Sequence, residues 1–252
     1  MTPGLHDSGD LRGSQSSTTA VEKGRTDTPL GRYERKAVVA EVDYQRLQQW
    51  VWDHPLAFRS AFPDRIVHSL YFDSRELGHL SDNLAGIANR VKLRLRWYGD
   101  SSDTTRTCFE IKAKRNDLGY KFRCDVALSA PLQTLSLARV VDEIRAELPA
   151  DMRAQFDAAD HPQLYTRYSR EYFVSGDGRV RATLDRGISV FGQSDAKVLN
   201  GERAALFPPV AVLELKYAAE LDAWLRRHTT PLPSRLSRFS KYTVGMQTLL
   251  GV

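Results

Sequence analysis

"RVKLRLRWYG" (residues 90–99) alternates without a break. Lys92, Arg94, Arg96 and Tyr98 fall on one side, and Val91, Leu93, Leu95 and Trp97 on the other. Successive side chains of a strand point to opposite faces, so one face here is cationic and the other apolar. A half-buried strand ordinarily sends its apolar face to a core and its charges to water. The alternative is that the cations line something.

The rest of the chain repeats the pattern. "GRYERKAVVA" (31–40) puts Arg32, Glu34 and Lys36 on one face. "RIVHSLYFDS" (65–74) reads as a strand, followed by a turn or short helix in "RELGHLSDNLAG". "CFEIKAKR" (108–115) and "YKFRCDVAL" (120–128) alternate Glu110, Lys112 and Lys114, then Lys121, Arg123 and Asp125, with apolar residues, and "NDLG" joins them as a hairpin. "HPQLYTRYSREYFVSGDGRVRATLDRGISVFG" (161–192) is a second hairpin about its "GDG" turn. "VAVLELKYAA" (210–219) sets Glu214 and Lys216 opposite Leu213, Leu215 and Tyr217.

Helical periods separate the strands. Val42, Leu47, Trp50 and Val51 form one apolar stripe. A second runs from Pro131 to about Ala159 and breaks at Pro149, and a short helix follows at 220–228. The end of the chain, after "RLSRFSK", is helical in its later part.

At least six strands therefore carry charge on one face. Two cations ~6 Å apart repel by on the order of 3 kcal/mol at an effective dielectric near 20. A sheet that collects them is poorly explained by stability alone. The expected fold is α+β: a closed antiparallel β-barrel turned inside out, with helices packed on its apolar outer face and a charged tunnel within.

Composition sets the outer limits. The chain has 252 residues, a net charge of +5 and a pI near 9.2, which suits a polyanionic partner. No apolar run approaches the roughly 18–20 residues of a membrane helix, and residues 1–29 read as a disordered tail before a domain at 30–252. Cys108 and Cys124 lack a C-x-x-C spacing or a histidine partner, so a cytoplasmic, reducing setting is expected. The histidines lack metal-ligand spacing. Asp185 reads as a cap or turn residue at a strand end, with tunnel contact as the lesser alternative. A single-stranded nucleic-acid site would need aromatic residues among the basic ones, and on the cationic face of 91–98 only Tyr98 qualifies, so no nucleic acid is expected.

Nine segments in order, "RYERK", "SLYFDS", "DNLAG", "RVKLRLRWYG", "FEIKAK", "YSREYF", "RVRATLD", "LELKY" and "RFSKYTVGM", resemble the vacuolar transporter chaperone (VTC) catalytic domain, within the triphosphate tunnel metalloenzyme superfamily. The resemblance spans Gly31 to Met246. It implies ATP-dependent synthesis of inorganic polyphosphate with Mn²⁺ or Mg²⁺. It implies phosphate contacts from Lys36, Arg94, Arg96, Lys112, Lys121, Arg170, Arg181 and Lys216, with a hydrogen bond from Tyr168. It assigns metal to Glu214, with Glu34 a second candidate, and contact with the terminal phosphate to Lys241 and Ser240; Glu34 and Glu214 could instead pair with neighbouring lysines in internal salt bridges. Relatives work in membrane complexes, but no such partner is legible here. The chain departs from the superfamily's Glu-x-Glu-x-Lys opening, reading Arg32-x-Glu34-x-Lys36. Losing that carboxylate favours polymerisation over hydrolysis. A tunnel triphosphatase and a non-catalytic polyanion-binding module are the alternatives.

Overall fold

The computed structural model describes residues 32–99, 105–115, 118–228 and 234–252; the tail reading lies outside them. Its eight strands are β1 (Arg32–Ala40), β2 (Arg59–Asp73), β3 (Arg90–Tyr98), β4 (Arg106–Arg115), β5 (Leu118–Ala127), β6 (His161–Val174), β7 (Arg181–Gly192) and β8 (Val210–Ala218). They form one antiparallel sheet in the order β1-β8-β7-β6-β2-β3-β4-β5. Six α-helices are described: α1 (Tyr44–Trp52), α2 (Gly78–Leu84), α3 (Leu137–Glu147), α4 (Ala150–Asp157), α5 (Asp222–His228) and α6 (Lys241–Leu250).

Register carries the charges onto one face, because directly opposed residues share a side of the sheet. Glu34 lies opposite Lys216 and Lys36 opposite Glu214. Arg170 lies opposite Asp185. Arg94 sits between Tyr71 and Glu110, and Glu110 between Arg94 and Arg123. The apolar residues face outward, as the alternation requires. Leu93, Leu95, Trp97, Phe109 and Ile111 pack with Val140 and Ile144 of α3 and Met152 and Phe156 of α4. Ala182, Leu184, Leu213 and Leu215 pack with Leu47 and Val51 of α1 and Leu225 of α5.

Local chemistry sets the helix bounds. Ser136 accepts a hydrogen bond from the Arg139 amide at the start of α3, and Pro149, which lacks an N–H, separates α3 from α4. One reading of the apolar stripe fails. Val42 is 91% exposed, because residues 41–43 form a 3-10 turn that rotates it off the face carrying Leu47 and Val51.

The antiparallel α+β sheet is as expected, and its closure into a barrel is not detected among the described residues. β1 and β5 end the sheet, and no ladder joins them among the described residues. Instead the segment after α5 takes up the free edge of β1, which would otherwise expose unpaired backbone groups. The Ser237 amide donates to the Lys36 carbonyl at 2.8 Å, the Ser234 hydroxyl donates to the Val38 carbonyl at 2.8 Å, and Ala37 bridges Leu236. The sheet still curls far enough for Lys112 on β4 to reach Glu34 on β1, at 3.3 Å.

Helix α6 lies on the inner face, not the outer one. Its Tyr242 and Met246 pack with Val67, Leu164, Val190 and Val212. Gly245 permits this approach, since a Cβ there would stand 2.8 Å from Leu164 Cδ2. The Tyr242 hydroxyl donates to buried Asp73, which also accepts from the His79 and Leu80 amides at 2.9 Å each. One carboxylate thus pins both α2 and α6 to the end of β2.

Candidate functional site: a cationic inner face

The inner face divides into two walls. The first is built by β3, β4 and β5 around Glu110, which is 0% exposed. Arg94 Nε donates to Glu110 Oε2 at 2.7 Å, and Arg96 Nη1 lies 3.6 Å from the same oxygen. Lys121 Nζ stands 2.6 Å from Oε1, and Arg123 donates to Oε1 through Nε and Nη2 at 3.0 and 2.9 Å. Burial alone would raise the carboxyl pKa. The charges of Arg94, Arg96 and Lys121 outweigh it and hold Glu110 well below the usual range. Tyr71, which accepts a 3.4 Å hydrogen bond from Arg94, is lowered against the effect of burial by Arg94 and Arg96.

Beside this hub, three lysines stand directly opposite one another: Lys92, Lys112 and Lys121. Burial, then the like charges of Lys36 and Lys112, lowers Lys92 to about 7. Burial also lowers Lys121 to about 7, with Glu110 opposing and Arg94 adding to the shift. Lys112 is lowered by burial, partly offset by Glu34. Lys92 Nζ donates to Ser240 Oγ at 2.8 Å, which ties the row to the N-cap of α6.

The second wall is built by β1, β8 and β7. Glu34 and Glu214 stand side by side. Lys36 Nζ lies 2.9 Å from Glu34 and 3.5 Å from Glu214, and Lys216 contacts Glu214. Despite burial, Lys112 and then Lys36 bring Glu34 down to about 2, with Glu214 opposing them. Glu214 is held well below the carboxylate range, against burial, by Lys216 and Lys36.

Between the walls, Arg170 donates to both oxygens of Asp185 at 2.6 and 2.7 Å, and Lys241 donates to the same carboxylate. Lys241 Nζ also sits 4.2 Å from the centroid of the Tyr168 ring, and the Arg170 guanidinium 5.3 Å from it. Asp185 is therefore no turn or cap residue. It is a buried acid that holds two of the cations sequence reasoning singled out.

The structure gathers Lys36, Arg94, Arg96, Lys112, Lys121, Tyr168, Arg170, Glu34, Glu214, Lys216, Ser240 and Lys241 on this face. Arg181 is exposed at the start of β7, opposite Lys216. The backbone of Arg32 pairs with Ala218, and its side chain lies outside the described residues. Sequence reasoning missed Glu110, Tyr71 and Arg123, and gave Asp185 only a lesser place in the site. Glu110 did carry a signal: one acid between cations in a strictly alternating strand.

Some of the site's polar atoms are left unsatisfied. Among the described residues, buried Arg96 Nε, Ser69 Oγ and Thr166 Oγ1 have no hydrogen-bond partner, and Ser69 lies directly opposite both Arg96 and Thr166. Each such group costs about 1–3 kcal/mol.

Among the described residues no group of three or more His, Cys, Asp or Glu could hold a metal. Glu34 and Glu214 form an adjacent oxygen pair, which suits a Mg²⁺-type ion that takes one or two carboxylates and its remaining ligands from substrate phosphates and water. The pair fits such a role, and it does not fit an all-protein metal cage.

Among the described residues no helix is long and apolar enough to cross a membrane. No curated protein matches the chain. Among solved structures, a Vibrio parahaemolyticus protein described provisionally as an adenylate cyclase is 11% identical, with 86% of this chain and 98% of that chain covered and a TM-score of 0.44. A Pyrococcus horikoshii protein is 12% identical, covers 86% and 98%, and gives a TM-score of 0.41. The family model described as the VTC domain matches residues 31–250. The chain belongs to the VTC domain family.

Proposed function

We propose that the chain is an ATP-dependent polyphosphate polymerase, using its inner face to transfer the γ-phosphoryl group of ATP to a growing polyphosphate chain. The observation that carries this reading is the opposed row Lys92–Lys112–Lys121 beside Arg94 and Arg96. Like charges set directly opposite destabilise a sheet, so the row is best explained by an anion that neutralises it. The family membership supports the same chemistry.

Phosphoryl transfer asks little covalent chemistry of the protein and much positioning and charge neutralisation. Arg94 and Arg96 offer planar forks to phosphate oxygens, and the lysines act as point charges that follow the chain. Lys241 exchanges Asp185 for the γ-phosphate. A terminal oxygen of the polyphosphate attacks γ-phosphorus, the bond to the β,γ-bridging oxygen breaks, and ADP departs with that electron pair. A divalent ion held by Glu214 and Glu34 would supply charge neutralisation at the phosphate oxygens.

One observation favours a second reading. Helix α6 lies on the inner face at one end, so a triphosphate that enters and leaves by the other end suits the site as it stands. This is the tunnel triphosphatase. Incubating the protein with ATP, Mn²⁺ and a short polyphosphate primer, then separating products on a polyphosphate-stained gel, decides between them. The polymerase gives a ladder that lengthens with time and is lost in Lys241→Ala. Free phosphate without a ladder overturns it in favour of the triphosphatase. Neither product leaves a binding module.

A further inference from the structure

At the end of the inner face away from α6, three aromatic rings gather round one arginine. The Arg65 guanidinium carbon lies 5.6 Å from the Phe62 ring centroid, 5.8 Å from Tyr98 and 6.0 Å from Tyr172. Phe62 and Tyr172 meet edge to face with centroids 5.8 Å apart. Phe62 is 56% exposed and Tyr98 41% exposed. β2 departs from regular register on both sides of Phe62, between Ser60 and Phe62 and again between Phe62 and Arg65. Such irregularities re-aim side chains at the rim of a sheet.

The cluster is continuous with the cationic face. Tyr98 follows Arg96 by two residues and Tyr172 follows Arg170 by two, so each tyrosine is the next same-face residue beyond a phosphate-facing arginine. One such step spans about 7 Å, a distance that a ribose can bridge. Exposed rings at a solvated mouth are unusual places to spend aromatic surface unless something flat covers them. Stability alone gives little reason for Phe62 to remain uncovered beside a cation.

We propose that Phe62, Tyr98 and Tyr172, with Arg65, form a stacking platform for the base of a nucleoside triphosphate whose phosphates run inward to Arg96 and Arg170. The inference rests on the inner face being a triphosphate site. Stacking uses the ring face, which every base possesses, so the platform selects nucleotide over bare triphosphate without selecting one base strongly. Arg65 contributes a planar cation that can lie against the base or reach its α-phosphate.

The test is calorimetric titration of the whole chain, with Mg²⁺ present, using ATP and inorganic tripolyphosphate as separate probes. The wild type is expected to bind both. Phe62→Ala combined with Tyr98→Ala is expected to weaken ATP by about tenfold, the size of one lost base–aromatic contact, and to leave tripolyphosphate unchanged. Retained tripolyphosphate binding also shows that the variant is folded. Equal weakening of both ligands, or of neither, overturns the platform while the phosphate site stands. Failure of the wild type to bind either probe overturns both readings.

Discussion

The two walls of the inner face hold their charge differently. The β3–β5 wall is centred on one acid: Arg94, Arg96, Lys121 and Arg123 converge on the fully buried Glu110, beside the opposed row Lys92–Lys112–Lys121. The β1–β8 wall is pairwise and its cations are lysines: Glu34 and Glu214 share Lys36 and Lys216 as close neighbours. Arginine stays charged at any working pH and presents a rigid fork, whereas lysine is a mobile point charge that can release its carboxylate. The first wall is suited to grip phosphate. The second is suited to free two carboxylates when a phosphate-borne cation arrives.

Several changes would break or sharpen that contrast. The largest effect is expected at Glu110. Glu110→Ala leaves several buried cations uncompensated and should cost about 3–5 kcal/mol in urea unfolding, whereas Glu34→Gln on the partly exposed wall should cost far less. Tripolyphosphate should restore much of the Glu110→Ala loss, since it supplies the missing negative charge. Equal costs at Glu110 and Glu34 would erase the distinction between the walls.

Next come Arg94→Ala and Lys241→Ala. Each should lower the rate of product formation by roughly 100-fold with the fold retained, because Glu110 keeps Arg123 and Lys121, and Asp185 keeps Arg170. Near-normal rates in both variants would sink the mechanism. Gly245→Val tests whether α6 positions Lys241. Its added methyl groups press on Leu164 and Val190 and should cost about 1–3 kcal/mol, with a parallel loss of activity that an outward-packed helix would not show.

The smallest change is in pH. Lys92 and Lys121 sit near 7 in the folded chain against an ordinary 10.5. Between about 7 and 10.5 the unfolded chain binds more protons than the folded one, so their contribution to stability rises with pH across that window. A bound polyanion restores the lysine charge. Binding should therefore take up protons, and affinity should fall as pH climbs above 7. Affinity that is flat from pH 7 to 9.5 would show that the lysine row does not face the ligand.

Much of this was legible in the sequence, and the reasons are local. Strict alternation in "RVKLRLRWYG" and "FEIKAK" fixes which side chains share a face, and Pro149 marks a helix end by its missing N–H. What escaped depends on register between distant strands. Glu110 becomes a hub only when β3 and β5 flank it, and Asp185 meets Arg170 only across the β6–β7 pairing, where a bulge follows Arg167. The course of residues 234–240 along the edge of β1 leaves little periodic trace, which is why a closed ladder was expected where a seam is found. Val42 misled because a 3-10 turn has a period near three, not 3.6.

The central claim is that the inner face is built to hold a chain of phosphates. Thermal unfolding with and without tripolyphosphate tests it most directly, with orthophosphate at matched ionic strength as the comparison. A substantial rise in Tm with tripolyphosphate, little with orthophosphate, and a clearly reduced rise in Arg94→Ala is the predicted result. The same Tm in all three solutions would contradict the account.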